Sequence, residues 1–428
     1  MRVGAGKITV AGSLSMAALC FLCLLLTPSF SSAKIFIDIT SPQARKLPIA
    51  VFDFQGPKGK EIADIIRDDL TFTGFFVCIN KASYIETASQ AFDPRNWTPL
   101  GVDAVVKGTA TLGSNLAATV TLYDTLEGRA ILKKQYQAAE DLLRPLAHAI
   151  ADDIYTALTG QPGVFRTRIA FVGEKGGRSG IYITDWDGHR MKKIGLRGSM
   201  VLSPHWSPDG TRIIYSAERG RQWSIYLLDF LRMTEKRVFT SAGINIAGNF
   251  FPRGNSFVFS SSRAGTPDLY TYSLAAGSVR RLTSSYGIEV SPAVSPDGKH
   301  IAFVSDRGGS PQVYVMDSDG TGIRRVTFEG SYNTSPYWSP TGDRIVFAGR
   351  QGGRNQIFTV KPDGSQLVQL TESGNNEDPS FSPDGRYITF SSDRDGRKGI
   401  YIMRANGESQ KRITPRDLKA FGPRWSPN

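Results

Sequence analysis

The chain has 428 residues, including 44 Gly and 23 Pro, and a formal charge of +12. That length holds two or three domains, and the glycine and proline favour many turns over long helices. The Lys and Arg residues sit singly in turns and at strand ends rather than in one dense run, which excludes an ordinary nucleic-acid binder and leaves a solvated surface tolerant of anionic neighbours.

The first residues read as an export signal. Arg2 and Lys7 form a basic start, an apolar stretch runs from about Val10 to Leu26, and Ser31-Ser-Ala33 supplies the small residues read at a cleavage site. Cleavage after Ala33 makes 1–33 the signal peptide and Lys34 the mature N-terminus, and lowers the charge to +10. Cys20 and Cys23 lie in the apolar stretch without the small residues of a lipid-attachment site, so Cys78 alone survives, in a strand and without an internal disulfide.

Residues 34–160 have the texture of a small α/β domain. Strands are expected at 35–39, 49–54, 75–79, 104–110, 116–124 and 130–136. Ile62, Ile65, Ile66 and Leu70 recur at helical spacing, and a second helix is expected over 142–158, with Asp141 as its cap and Gly160 past its end. Residues 161–167, with Gln161-Pro-Gly163, are the expected linker.

From residue 168 to 428 the sequence repeats. Ser203-Pro-His-Trp-Ser-Pro-Asp-Gly210 returns as Ser291-Pro-Ala-Val-Ser-Pro-Asp-Gly298, Ser335-Pro-Tyr-Trp-Ser-Pro-Thr-Gly342 and Asp378-Pro-Ser-Phe-Ser-Pro-Asp-Gly385. Ala247-Gly-Asn-Phe-Phe-Pro-Arg-Gly254 is a degenerate copy, and Gly422-Pro-Arg-Trp-Ser-Pro427 a truncated one. The second positions, 204, 248, 292, 336, 379 and 423, are spaced by 44, 44, 44, 43 and 44 residues. Each period holds four short β-branched or aromatic runs bounded by turn dipeptides, which is one propeller blade. The second run occurs six times, starting at Ile169, whereas the first is missing at the start and supplied at the end. The expected fold class is therefore an all-β six-bladed propeller preceded by a small α/β domain, closed by the C-terminal strand.

Reaction chemistry is absent from the motifs: no Gly-x-Ser-x-Gly elbow occurs, and no two of His148, His189, His205 and His300 pair at metal-ligand spacing. Gly56-Pro-Lys-Gly-Lys60 reads as a strand-to-helix turn, and Asp185-Trp-Asp-Gly188 and Asp317-Ser-Asp-Gly320 as hairpin turns rather than calcium loops. No catalytic residue, metal or cofactor is expected, with a single cation in the propeller channel left open.

The order of signal peptide, α/β domain and propeller resembles the TolB family. The resemblance rests on the blade units together with Gly101-Val-Asp-Ala-Val-Val106, the Phe165-Arg-Thr-Arg-Ile-Ala-Phe171 junction and the closing Trp425-Ser-Pro. It implies a periplasmic binding component of the Tol–Pal system, linking inner-membrane Tol proteins to the lipoprotein Pal and supporting outer-membrane integrity and constriction at division. It implies Pal at the propeller, TolA at the mature N-terminus, and membrane association only through partners; a monomer is expected. Loops that connect blades gather at one channel mouth. There Asn245, Glu289, Asn333 and Asn376, with Thr334 and Glu377, and His205, Asn249 and Tyr337 just inside, are the expected Pal contacts. Lys34, Ile35, Phe36, Ile37, Asp38 and Ile39 alternate as a strand that can add to a partner's sheet edge, serve as an edge strand of its own domain, or do each in turn. The alternatives are the propeller half of a prolyl-oligopeptidase-like protein, which calls for a hydrolase domain before 168 or after 428, and a ligand-binding propeller.

Overall fold

The computed structural model describes residues 45–194 and 200–428. The signal-peptide and N-terminal strand expectations, Lys34 to Ile39 included, lie outside the described residues.

The first domain is built on a five-stranded sheet. β1 (Leu47–Val51) is central, pairing in parallel with β2 (Phe76–Cys78) and β3 (Ala104–Leu112); β4 (Leu116–Asp124) and β5 (Arg129–Ala138) continue as an antiparallel meander. Helices α1 (Gly59–Thr73) and α2 (Leu143–Thr159) cover one face. Their apolar stripes, Ile62, Ile66 and Leu70 on α1 and Leu146, Ile150, Ile154 and Leu158 on α2, bury against Ile49, Val51, Val106, Val120 and Leu122. The turn before α1 needs a glycine. Gly56 has φ 97°, and a Cβ there would meet the Ala110 carbonyl oxygen at 2.1 Å. Asp141 does not cap α2. It lies inside a single 3-10 turn, Glu140–Leu142, whose bonds carry the chain into the helix, while Gly160 ends α2 in the left-handed region as expected. Cys78 is half-buried in β2, and burial pushes its thiol pKa up.

Beyond residue 168, the described strands form six four-stranded antiparallel sheets. Five are continuous in sequence; the sixth joins Lys419–Trp425 to Arg168–Lys175, Arg178–Asp185 and Lys192–Ile194. Trp425 stands opposite Ile169 and Lys419 opposite Glu174. Trp425 Nε1 donates to Thr167 Oγ1 at 2.7 Å, Ser426 N to the Arg168 carbonyl at 2.8 Å, and Trp206 Nε1 to the Arg424 carbonyl at 3.1 Å. The ring is thus fastened on both sides of the closing blade.

Four inner strands carry a bulge at a Ser-Pro or Asp-Pro step. Proline has no N–H for the ladder, so the register shifts, and Ser203, Ser291, Ser335 and Asp378 take φ of 50–55°. The degenerate second unit keeps the bulge without the proline. Gly248 leaves room for Pro292 of the next blade, which would stand 2.7 Å from a Cβ. The following Ser-Pro-Asp-Gly turns share one bonding scheme. The hydroxyls of Ser207, Ser295 and Ser382 donate to Asp209, Asp297 and Asp384 at 2.5–2.6 Å. Asp319 and Asp363 each accept the backbone N–H two residues on, at 2.9 Å, which is the hairpin arrangement expected of the Asp-Gly units.

The first domain docks on the propeller face made by the turns that follow the inner strands. Arg404 Nε donates to the Phe72 carbonyl at 3.1 Å, and the Phe72 ring stacks on Tyr387 at 5.3 Å. Arg144 of α2 pairs with Asp187 at 2.6 Å. Beside it His148 is buried between Asp69 and Asp187; burial works to lower its pKa, but the two adjoining carboxylates outweigh it and raise it to about 9.

Candidate functional site

Strand direction gives the propeller two unlike faces. Inner strands begin at one face, where blade-to-blade connections arrive, and end at the other, where the first domain sits.

The residues expected at the mouth divide between these faces. Asn245, Glu289, Asn333 and Asn376 occupy equivalent first positions of four inner strands, and all are buried. Their polar groups are committed within the propeller, largely to the preceding blade and to the loop that arrives from it. Asn245 Nδ2 donates to the Trp223 and Ser241 carbonyls at 3.0 Å each, and its Oδ1 accepts from the Ser241 and Ser261 hydroxyls at 2.9 and 2.6 Å. Asn333 Nδ2 donates to Gln312 Oε1 at 2.7 Å and the Glu329 carbonyl at 2.8 Å. Asn376 donates to Gln356 at 2.8 Å and accepts from Arg394 at 2.9 Å. Glu289 accepts from Arg307 and, at 3.0 Å, from the Ser285 hydroxyl. These four tie each incoming loop to its blade and offer a partner almost no surface. Thr334 and Glu377, one position on, are half-buried, with Glu377 bound to Lys398 at 2.5 Å and Asn355 at 3.0 Å.

His205, Asn249 and Tyr337 stand near the opposite ends of their strands, away from that mouth. Asn249 and Tyr337 line a cavity of about 300 Å³ with Trp206, Trp338, Phe381, Trp425 and the ring of turn prolines. His205 is buried, with no hydrogen bond at Nδ1, and burial and then Arg424 lower its pKa well below the usual value, so its ring is neutral. The nine residues therefore do not form one surface.

What the sequence reading missed is apolar. Among the described residues, the propeller exposes nine large hydrophobic side chains, and six of them, Met200, Ile244, Tyr286, Ile288, Phe328 and Tyr332, sit where four successive blades are entered. Tyr286 is fully exposed, whereas the Phe328 ring, 68% exposed, leans outward onto the turn at Gly364 of the next blade. Exposed arginines of the neighbouring loops, Arg221, Arg263 and Arg354, stand on the same face. A rim with apolar anchors and basic neighbours, held on rigid blades, is what a protein partner with an apolar, acidic surface fits. The entrances to the last two blades, at 370–375 and 413–418, lack such anchors. The available signal was an aromatic inside an otherwise Gly/Ser-rich connection, as at Tyr286 and Phe328.

Comparison with known proteins agrees with this architecture. The family model described as "TolB beta propeller domain" matches residues 155–428, and that of the "TolB amino-terminal domain" matches 35–131. The chain belongs to the TolB family. Relatives named Tol-Pal system protein TolB are 36% identical in Bordetella avium over 204 residues, 46% of each chain, and 36% identical in Desulfosudis oleivorans over 190 residues, 41% of this chain and 43% of that one. The chain thus spans about half the length of the curated relatives it matches. The crystal structure of TolB from Acinetobacter baumannii superposes with a TM-score of 0.81 at 29% identity, covering 90% of this chain and 97% of that one. No helix among the described residues is long and apolar enough to cross a membrane.

Proposed function

We propose that this TolB-family chain is the periplasmic binding component of a Tol–Pal system, holding Pal at the open propeller mouth and an inner-membrane Tol protein, TolA, through its mature N-terminus. In this role it couples the two membranes, supporting outer-membrane integrity and constriction at division. Its work is binding, not catalysis. The observation that carries the reading is the apolar arc on the face opposite the docked domain, with Tyr286 and Ile288 exposed on a closed ring. Its relatives' name places them in the same system.

A photo-crosslinking residue in place of Tyr286 should capture Pal in cells, while one in place of Leu231, exposed on the opposite face, should not. Capture from 231 alone would put the partner on the wrong face. For the second contact, deletion of residues 34–40 should remove TolA from a pull-down while leaving Pal bound. Retention of TolA would detach that segment from the proposal.

A further inference from the structure

The domain seam holds a cluster that partner binding does not use. We propose that His148, Asp185 and Asp187 form a binding site for a divalent transition-metal ion of the zinc type, with Asp69 as the residue that orients the histidine.

His148 comes from α2, and its side chain is 2% exposed. Nδ1 lies 2.7 Å from Asp69 Oδ2 on α1, which keeps Nδ1 as the donor and leaves Nε2 as the ligand atom once a metal ion displaces its proton. Nε2 is buried, has no hydrogen-bond partner, and points across the seam at the propeller hairpin. There Asp187 Oδ2 is 3.3 Å away, and Asp185 Oδ2 is a second buried atom without a hydrogen bond, with Arg190 Nε 3.7 Å from it. One ligand atom from each of the three residues fits within 4.8 Å of the others. Two ligands about 2.0–2.1 Å from a tetrahedral ion stand about 3.3 Å apart, which is long for a hydrogen bond but the spacing of ligands sharing one metal. One imidazole and two carboxylates, with water in the fourth place, is a zinc-type set. The Asp69–His148 contact is the carboxylate–histidine arrangement that supports such ligands.

The other contacts are compatible with this. Asp187 Oδ2 also accepts from Arg144 Nε at 2.7 Å, and its Oδ1 accepts from His189 N at 3.1 Å. Three carboxylates, Asp69, Asp185 and Asp187, face two guanidiniums, Arg144 and Arg190, and the His148 imidazolium supplies the third positive charge, so a divalent ion binds here by displacing the proton on Nε2. A proton on Nε2 is the competing occupant. Because the ligands come from both domains, the ion would fasten the first domain to the propeller.

The test uses the tag-free mature chain, stripped with a chelator and titrated calorimetrically with zinc ions at pH 7.5, with cobalt(II) absorption reporting a tetrahedral site. The expected result is one equivalent bound at micromolar Kd or tighter, with a rise in Tm. Asp185→Asn leaves the His148–Asp69 and Arg144–Asp187 pairs in place and should weaken binding at least tenfold; Asp69→Asn should weaken it about tenfold. No binding by the wild type, or equal binding by Asp185→Asn, overturns the proposal and leaves the cluster as a protonated ion-pair network. His148→Gln is a further arm, and Asp185→Asn decides the question if that variant does not fold.

Discussion

A chain ending at Leu418 loses the cooperative melting of the propeller. The ten residues removed supply the inner strand of the closing blade, so Arg168–Lys175 becomes an unpaired edge beside the channel. With them go Trp425, 3% exposed and stacked on Tyr387 at 6.2 Å, the bond from its Nε1 to Thr167, and the Trp206 anchor on Arg424. Deleting one buried tryptophan side chain costs about 3–5 kcal/mol by itself. Losing a whole paired strand exceeds that and approaches the 5–15 kcal/mol that typically hold a domain together. Calorimetry should show Tm lowered by more than ~10 °C or no cooperative transition, with proteolysis beginning near residue 168. Melting within about 2 °C of the full chain would mean that the ring does not depend on its closing strand.

The second large effect concerns residues that look like binding groups. Replacing Asn245, Glu289 and Asn333 together by alanine should destabilise the propeller by about 3–9 kcal/mol, since each substitution strips a buried bonded side chain at about 1–3 kcal/mol. Asn245→Ala leaves the Ser241 and Ser261 hydroxyls and the Trp223 carbonyl without that partner, and Glu289→Ala leaves Arg307 unpaired against its blade. The three lie on different blades, so the costs should add. Pal affinity of the molecules that remain folded should stay within about threefold of wild type. An unchanged Tm with weakened Pal binding would return these side chains to the contact surface.

These two cases mark what was legible in the sequence. The blade count and the closure were readable because turns recur at fixed steps and the missing first strand reappears at Gly422–Pro427. Even the degenerate unit kept its place, because Gly248 answers the packing of Pro292. Side-chain destination was not readable. A polar residue opening an inner strand reads as a rim group, yet Asn245 and its equivalents turn inward, toward the preceding blade, and satisfy the loop backbone. His205, Asn249 and Tyr337 are only four residues beyond strand-opening positions, but that span crosses the sheet and puts them at the other opening. The apolar arc went unseen because connections are expected to be polar, and a fully exposed tyrosine leaves no periodic trace. The His148 cluster gathers residues from three distant segments, which no local spacing displays.

The most direct measurement is the calorimetric affinity of the mature chain for the soluble domain of Pal, comparing Tyr286→Ser/Ile288→Ser with Leu231→Ser/Met233→Ser as the opposite-face control. All four side chains are exposed, so stability should hold in both variants. Binding at the open mouth predicts at least a tenfold loss, about 1.4 kcal/mol, for the first pair and none for the second. The reverse order, or equal affinity in all three proteins, would contradict it.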